Sequence, residues 1–195
     1  DSIRIDQHTT FPSRDYASLS DIISDFQPAQ QSPLDAAAFG VAGPVKQGVS
    51  RITNLPWQIS QRQLAKQLQL DAVYLLNDLE ALAWGIDKLA GEELVSLQSG
   101  AAGTNGNRAV IAAGTGLGQA GVCFDGVGYR PFATEGGHTD FAPYSEQDWL
   151  LLKQLRHRYT HVSWERLLSG PGLVTRKTSP ALPPGFLSMT VASSK

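Results

Sequence analysis

The sequence predicts an α/β protein, and three of its features carry that reading. Short apolar runs at 37–42, 72–76 and 109–113 have the length of buried strands and stop before helical length is reached. Elsewhere apolar residues recur at helical spacing, as in Leu19, Ile22, Ile23 and Phe26, or Leu151, Leu152 and Leu155. The run 72–76 ends in Asn77-Asp78 and passes directly into a helical stretch, the order found where open α/β sheets gather ligands at the carboxyl ends of their strands.

Taken in order, residues 16–26 read as an amphipathic helix with Ser18 or Ser20 available as its cap. A polar, proline-bearing connection leads to 37–42, expected as a central strand, which Gly43-Pro44 ends. Val45, Val49 and Ile52 surround Gly48 as in a hairpin, and Ser60 with Gln63 spells a capping box for a helix over 60–69. After the strand 72–76 and the helix 79–86, the stretch 91–107 is rich in Gly, Ser and small polar residues. It suits a solvated loop or hinge, so a domain boundary is expected near 107.

Beyond it, a strand at 109–113, the turn Gly114-Thr115-Gly116-Leu117-Gly118 and a returning strand at 119–124 read as a glycine-rich hairpin. A loop holding Thr134-Glu135-Gly136-Gly137-His138 precedes a helix capped by Ser145 and Asp148. Ser163 then opens a short helix expected to stop at Gly170-Pro171-Gly172. From 175 to 195 the prolines 180, 183 and 184, several serines and the lack of any period read as a disordered or aberrant tail.

The bulk properties exclude several classes of function. The 195 residues are 42% hydrophobic and 17% charged, the profile of a folded globular chain. Sixteen Lys+Arg against eighteen Asp+Glu leave a formal charge of -2, so no field favours nucleic acid or an anionic membrane. Cys123 stands alone, which excludes an intramolecular disulfide and a multi-cysteine zinc site and makes a reducing cytoplasm the expected compartment. No apolar run approaches the roughly 20 residues that cross a bilayer. The opening Asp1-Ser2-Ile3-Arg4 lacks an initiator methionine and the order of a signal peptide, so an upstream segment is expected.

The chemistry-bearing candidates each admit two readings. Asp78 is placed to cap a helix, or to act as a general base accepting a proton from a substrate hydroxyl. The glycines at 114, 116 and 118 supply the positive φ that a tight turn needs, or, with Thr115, bring backbone N–H groups close to phosphate oxygens. No Lys-Ser or Lys-Thr follows, so the turn is not a P-loop. Glu135 and His138 flank two glycines in a flexible surface loop or a ligand cradle, and Glu165 either complements a helix dipole or joins them. His8, His157 and His161 lack the spacing and carboxylate company of metal ligands, and no metal site is expected.

In order along the chain, Gly43-Pro44, Thr53-Asn54-Leu55-Pro56-Trp57, Leu76-Asn77-Asp78-Leu79, Gly114-Thr115-Gly116-Leu117-Gly118, Glu135-Gly136-Gly137-His138 with Asp140-Phe141-Ala142-Pro143, and Leu168-Ser169-Gly170-Pro171-Gly172-Leu173 resemble the bacterial glucokinase family over residues 15–174. That resemblance implies an actin-like, ribonuclease-H-like ATPase architecture: residues 1–107 as a small α/β domain and 108–174 as the beginning of a large one, with 175–195 outside both. It implies ATP-dependent phosphorylation of glucose to glucose 6-phosphate, with Asp78 as catalytic base. Asn77, Asp78, Glu135, His138 and Glu165 would bind the sugar, and Gly114, Thr115 and Gly116 the phosphates of ATP with Mg2+. A homodimer of the intact protein is one expected assembly.

The family's Asp-x-Gly-Gly-Thr segment does not precede Ile3, and its remaining large domain has no counterpart after 174, so the chain alone is expected to be weak or inactive. The alternatives are a non-catalytic sugar-binding fragment or a regulatory relative from the wider group of sugar kinases and repressors. The single cysteine argues against the zinc-binding branch of that group.

Overall fold

The computed structural model describes residues 5–26, 33–52, 54–98 and 105–177. Ser18 turns its hydroxyl onto the Asp21 N–H at 3.3 Å and starts helix α1 (Leu19–Asp25), so of the two candidate serines it is Ser18 that caps. Strand β1 (Ala37–Val41) is followed by the hairpin of β2 (Val45–Lys46) and β3 (Val49–Arg51), whose turn holds Gln47 and Gly48 at positive φ. β4 (Gln58–Ser60) pairs antiparallel with β3 and runs without a break into α2 (Gln61–Leu68). β5 (Val73–Asn77) leads straight into α3 (Asp78–Gly85). β6 (Arg108–Ala113), β7 (Leu117–Phe124) and β8 (Tyr129–Thr134) form a three-stranded sheet in that order. The helices α4 (Glu146–Leu155), α5 (Trp164–Leu168) and α6 (Gly170–Lys177) follow.

The chain divides into two units, Asp1–Arg108 with Gly121–Ala133, and Ala109–Ala120 with Thr134–Lys195. In the first, β1 and β5 pair in parallel, Val41 opposite Asn77, so both strands deliver their following loops to one edge. Val41, Trp57, Ile59, Leu64, Val73 and Leu75 are buried together, and Leu19, Ile22 and Ile23 of α1 pack against them. Each such side chain taken out of water contributes about 1.5–3 kcal/mol. In the second unit, Leu151 and Leu155 of α4 meet Phe141, Val162 and Leu167. Among the described residues no helix is long and apolar enough to cross a membrane.

Two local expectations are corrected and a third is extended. Residues 37–42 do not form a central strand among the described residues: β1 has one strand neighbour, β5, and its residues alternate between inward and exposed positions as a one-sided strand requires. The capping box at Ser60 is not formed, because Ser60 is still strand, paired with Val49, and Gln61 N–H donates to the Gly48 carbonyl at 2.8 Å. The helix that Ser163 opens does stop before Gly170-Pro171-Gly172, α5 ending at Leu168, but the same three residues start a further helix that the sequence reading lacks. Ser169 Oγ accepts the Gly172 N–H at 3.2 Å, and proline is tolerated in a first turn whose N–H groups have no helical partner. Gly172 is required for close approach, since a Cβ there would lie 2.7 Å from the Arg166 carbonyl oxygen on α5. Helix α6 carries the described backbone through 177, and the rest of the expected tail lies outside the described residues.

The β7–β8 turn contains one strongly perturbed carboxylate. Asp125 Oδ1 accepts the N–H groups of Val127 and Gly128 at 2.9 and 2.7 Å, and Oδ2 accepts Arg130 Nε–H at 3.0 Å. The Gly128 and Val127 donors, then Arg130, lower its pKa from 3.8 to about 2. A depressed carboxylate stabilises the fold fully above its unfolded pKa and ceases to do so as pH falls through the folded one. The turn is therefore expected to loosen between about pH 4 and pH 2, and Asp125→Asn to remove that dependence. An NMR titration of the Asp125 carboxyl with its midpoint near 4 would refute this.

Candidate functional site

Asn77 ends β5 and caps α3. Its Oδ1 accepts the N–H groups of Leu79 at 3.1 Å and Glu80 at 3.4 Å, and its Nδ2 donates to the Gly43 carbonyl at 3.3 Å. The cap is thus Asn77 and not Asp78. Asp78 is the first helical residue, exposed, with Oδ1 accepting the Leu79 N–H at 3.0 Å. Because the amide carries the capping bonds, the carboxylate of Asp78 is left at the positive end of the helix. Gly43 belongs to this arrangement as well: a Cβ there would lie 2.7 Å from the Arg51 carbonyl oxygen, so no larger residue fits without moving the carbonyl that holds Asn77.

The second unit brings three of the sequence-predicted residues together. His138 Nε2 lies 3.7 Å from Glu135 Oε2, and His138 Nδ1 lies 3.9 Å from Glu165 Oε1, so a carboxylate flanks each ring nitrogen. These become ion pairs when the imidazole is protonated. Residues 139–141 hold the two segments in place. Asp140 and Ser163 form an antiparallel bridge, Phe141 N–H donates to the Val162 carbonyl at 2.9 Å, and Trp164 N–H to the Thr139 carbonyl at 3.1 Å. Phe141 and Trp164 meet edge to face with ring centroids 5.0 Å apart.

The segment around His138 is not a loose loop. Gly136–His138 is a 3-10 turn laid on β7, and a Cβ on Gly137 would fall 2.1 Å from the Leu117 carbonyl oxygen. The two glycines therefore permit contact with the strand, and that contact holds His138 in position. Sequence reasoning left out Gln119, against which Gly136 packs and whose backbone carbonyl accepts Thr134 Oγ1–H at 3.2 Å. His161, for which no metal role is expected, lies with Nε2 2.7 Å from Asp140 Oδ1 across the same bridge.

Gly114, Thr115 and Gly116 form the turn between β6 and β7, and positive φ is not what the glycines supply, since neither Gly114 nor Gly116 has it. Gly114 N–H is taken by the Gly116 carbonyl at 2.9 Å and Leu117 N–H by Glu165 Oε2 at 3.1 Å. Among the described residues, the N–H groups of Thr115 and Gly116 have no protein acceptor. Two adjacent backbone donors, on exposed Thr115 and half-buried Gly116, suit an anion. A cluster of carboxylates around an imidazole suits a ligand with several hydroxyl groups, because each carboxylate accepts more than one hydrogen bond. An open crevice of about 520 Å³ elsewhere in the first unit, lined by Gln47, Ser60, Arg62 and Asp71 among others, contains none of the candidate residues.

A family model described as glucokinase matches residues 1–177. Curated relatives include a glucokinase from Trichormus variabilis, 38% identical over 169 residues covering 85% of this chain and 49% of that protein. Another, from Synechocystis sp., is 44% identical over 140 residues, covering 70% of this chain and 39% of its own length. The chain spans about half the length of the curated relatives it matches. Among solved structures, a glucokinase from an Antarctic psychrotroph superposes with a TM-score of 0.72 at 31% identity, covering 88% of this chain and 54% of that one. A Balamuthia mandrillaris glucokinase solved in complex with glucose gives 0.54 at 25% identity, covering 80% and 48%.

Proposed function

Because the chain belongs to the glucokinase family, which is built on the actin-like sugar-kinase fold, we propose that it supplies the sugar-binding and proton-accepting residues of an ATP-dependent kinase converting glucose to glucose 6-phosphate. The observation that supports this reading best is the convergence of Glu135, His138 and Glu165 beside a turn whose Thr115 and Gly116 N–H groups are unpaired among the described residues. Glucose is neutral and rich in hydroxyls, and Glu135, His138 and Glu165 of the second unit would offer it two carboxylates and an imidazole, with Asn77 and Asp78 as the further sugar contacts that the family resemblance implies. The turn at Gly114, Thr115 and Gly116 would receive phosphate oxygens of ATP through backbone donors.

Phosphoryl transfer asks chiefly for positioning and charge stabilisation. Asp78 would accept the proton of the glucose 6-hydroxyl as that oxygen forms its bond to the γ-phosphorus and the bond to the ADP oxygen breaks. Mg2+ would arrive on the nucleotide, since it keeps several waters and binds through phosphates with one or two carboxylates. No cage of three His, Cys, Asp or Glu side chains stands ready for it among the described residues. Residues 1–107 would correspond to the family's small domain and 108–174 to the beginning of its large one. A cytoplasmic location and a dimeric intact protein belong to the same proposal.

A second reading, a sugar binder without turnover, needs only the cluster of Glu135, His138 and Glu165 and not the glycine turn. Calorimetric titration of the chain with glucose and, separately, with ADP tests both. Heat from glucose and ADP supports the kinase reading, and heat from glucose alone supports the binder. Silence toward glucose overturns both.

A further inference from the structure

We infer that Glu165, beyond the sugar contact proposed for it, couples the sugar cluster to the glycine turn, so that an occupied sugar site raises affinity at the Thr115 and Gly116 donors. The inference rests on the sugar and phosphate roles proposed above. Its basis is the division of labour between two oxygens of one carboxylate. Oε1 lies 3.9 Å from His138 Nδ1, while Oε2 accepts the Leu117 N–H at 3.1 Å, at the exit of the turn. A carboxylate is planar and rigid, so turning one oxygen toward a sugar hydroxyl moves the other.

The turn has no slack with which to absorb that movement. A Cβ on Gly116 would sit 2.6 Å from Glu165 Oε2, so the carboxylate lies directly on the turn's backbone. At the other end, Gly170 N–H donates to the Gly114 carbonyl at 2.8 Å. Glu165 is on α5 and Gly170 begins α6, and the close approach at Gly172 packs these helices together. The turn is therefore clamped at entry and exit by one helical platform, and its two unpaired donors lie between the clamps.

The sign of the coupling follows from two effects. A sugar hydroxyl donating to Oε1 fixes the Glu165 side chain, whose rotamer freedom the clamped backbone does not remove, so a phosphate that binds next has less ordering to accomplish. The same hydroxyl offsets part of the carboxylate charge that faces the incoming anion. Coupling is reciprocal, so ADP must raise glucose affinity by the factor by which glucose raises that of ADP.

The test uses the whole 195-residue chain, 15N-labelled, with glucose and ADP as probes. Saturating glucose is expected to move the Leu117, Gly116 and Thr115 amide resonances and to tighten ADP binding by about fivefold or more. Glu165→Gln, which keeps an acceptor oxygen, is expected to retain the fold and lose most of the coupling. Glu165→Ala and Gly116→Ala, each measured at a glucose concentration that titration shows to saturate that variant, are expected to bring the ADP affinity ratio with and without glucose to about one. A Leu117 amide that glucose binding leaves unmoved, or coupling that survives in Glu165→Gln and Glu165→Ala alike, overturns the inference and leaves the kinase reading intact. A wild-type chain that binds no glucose overturns both.

Discussion

Asp78→Asn is expected to lower kcat by about 10²–10⁴-fold, the usual worth of a positioned general base, while the KM for glucose stays within a few-fold. The experiment belongs in an active protein that contains this chain. The substitution is clean for a structural reason. Asn77, not Asp78, carries the α3 cap, and the hydrogen bond that the Asp78 side chain accepts, from Leu79 N–H at 3.0 Å, goes to an oxygen that asparagine also possesses. Stability should therefore change by no more than about 1 kcal/mol, the worth of the carboxylate's interaction with the helix end. An amide accepts that hydrogen bond but cannot take up the proton of an attacking hydroxyl. Steady-state kinetics with thermal denaturation as control reads both quantities, and unchanged kcat in a stable variant removes Asp78 from the base role.

Leu151→Ala is expected to destabilise the second unit by about 2–5 kcal/mol. Leu151 is 1% exposed and packs in the cluster of Phe141, Leu155, Val162 and Leu167. Truncation removes apolar burial and leaves a cavity that its neighbours can close only by moving. Two of those neighbours matter for the site. Leu167 shares α5 with Glu165, and Phe141 N–H is bonded to the Val162 carbonyl in the bridge that brings His138 to α5. Hydrogen exchange of the α4 and α5 amides measures the loss within this unit, and a change below about 1 kcal/mol would mean that the core collapses around the deletion.

Local patterns were legible where a short-range rule sets the conformation. Ser145 and Asp148 form the capping box that their spacing predicts, and the hairpin around Gly48 is formed by β2 and β3. The reading failed where packing overrides local preference. Pro131 hides β8 from a strand search, yet a proline is tolerated there because β8 lies at the edge of its sheet. Gly170-Pro171-Gly172 does end α5, but it also opens α6, whose approach to α5 Gly172 permits. The glycines of the 114–118 turn are explained in part by a side chain far along the chain, since Glu165 Oε2 occupies the space that a Cβ on Gly116 would need.

By itself the sequence determined the α/β class, the strand-to-helix junction at Asn77-Asp78 and the identity of the polar residues available for chemistry, because each depends on spacing within a few residues. Only the tertiary structure decided that Asn77 caps α3 and leaves Asp78 free of that duty, since the remaining amide hydrogen-bonding group is used on Gly43 across the sheet edge. It also decided that Glu165 reaches both His138 and the Leu117 N–H, 48 residues away. Contacts of that span are set by which surfaces pack together, and a one-dimensional pattern of residue types does not contain that choice.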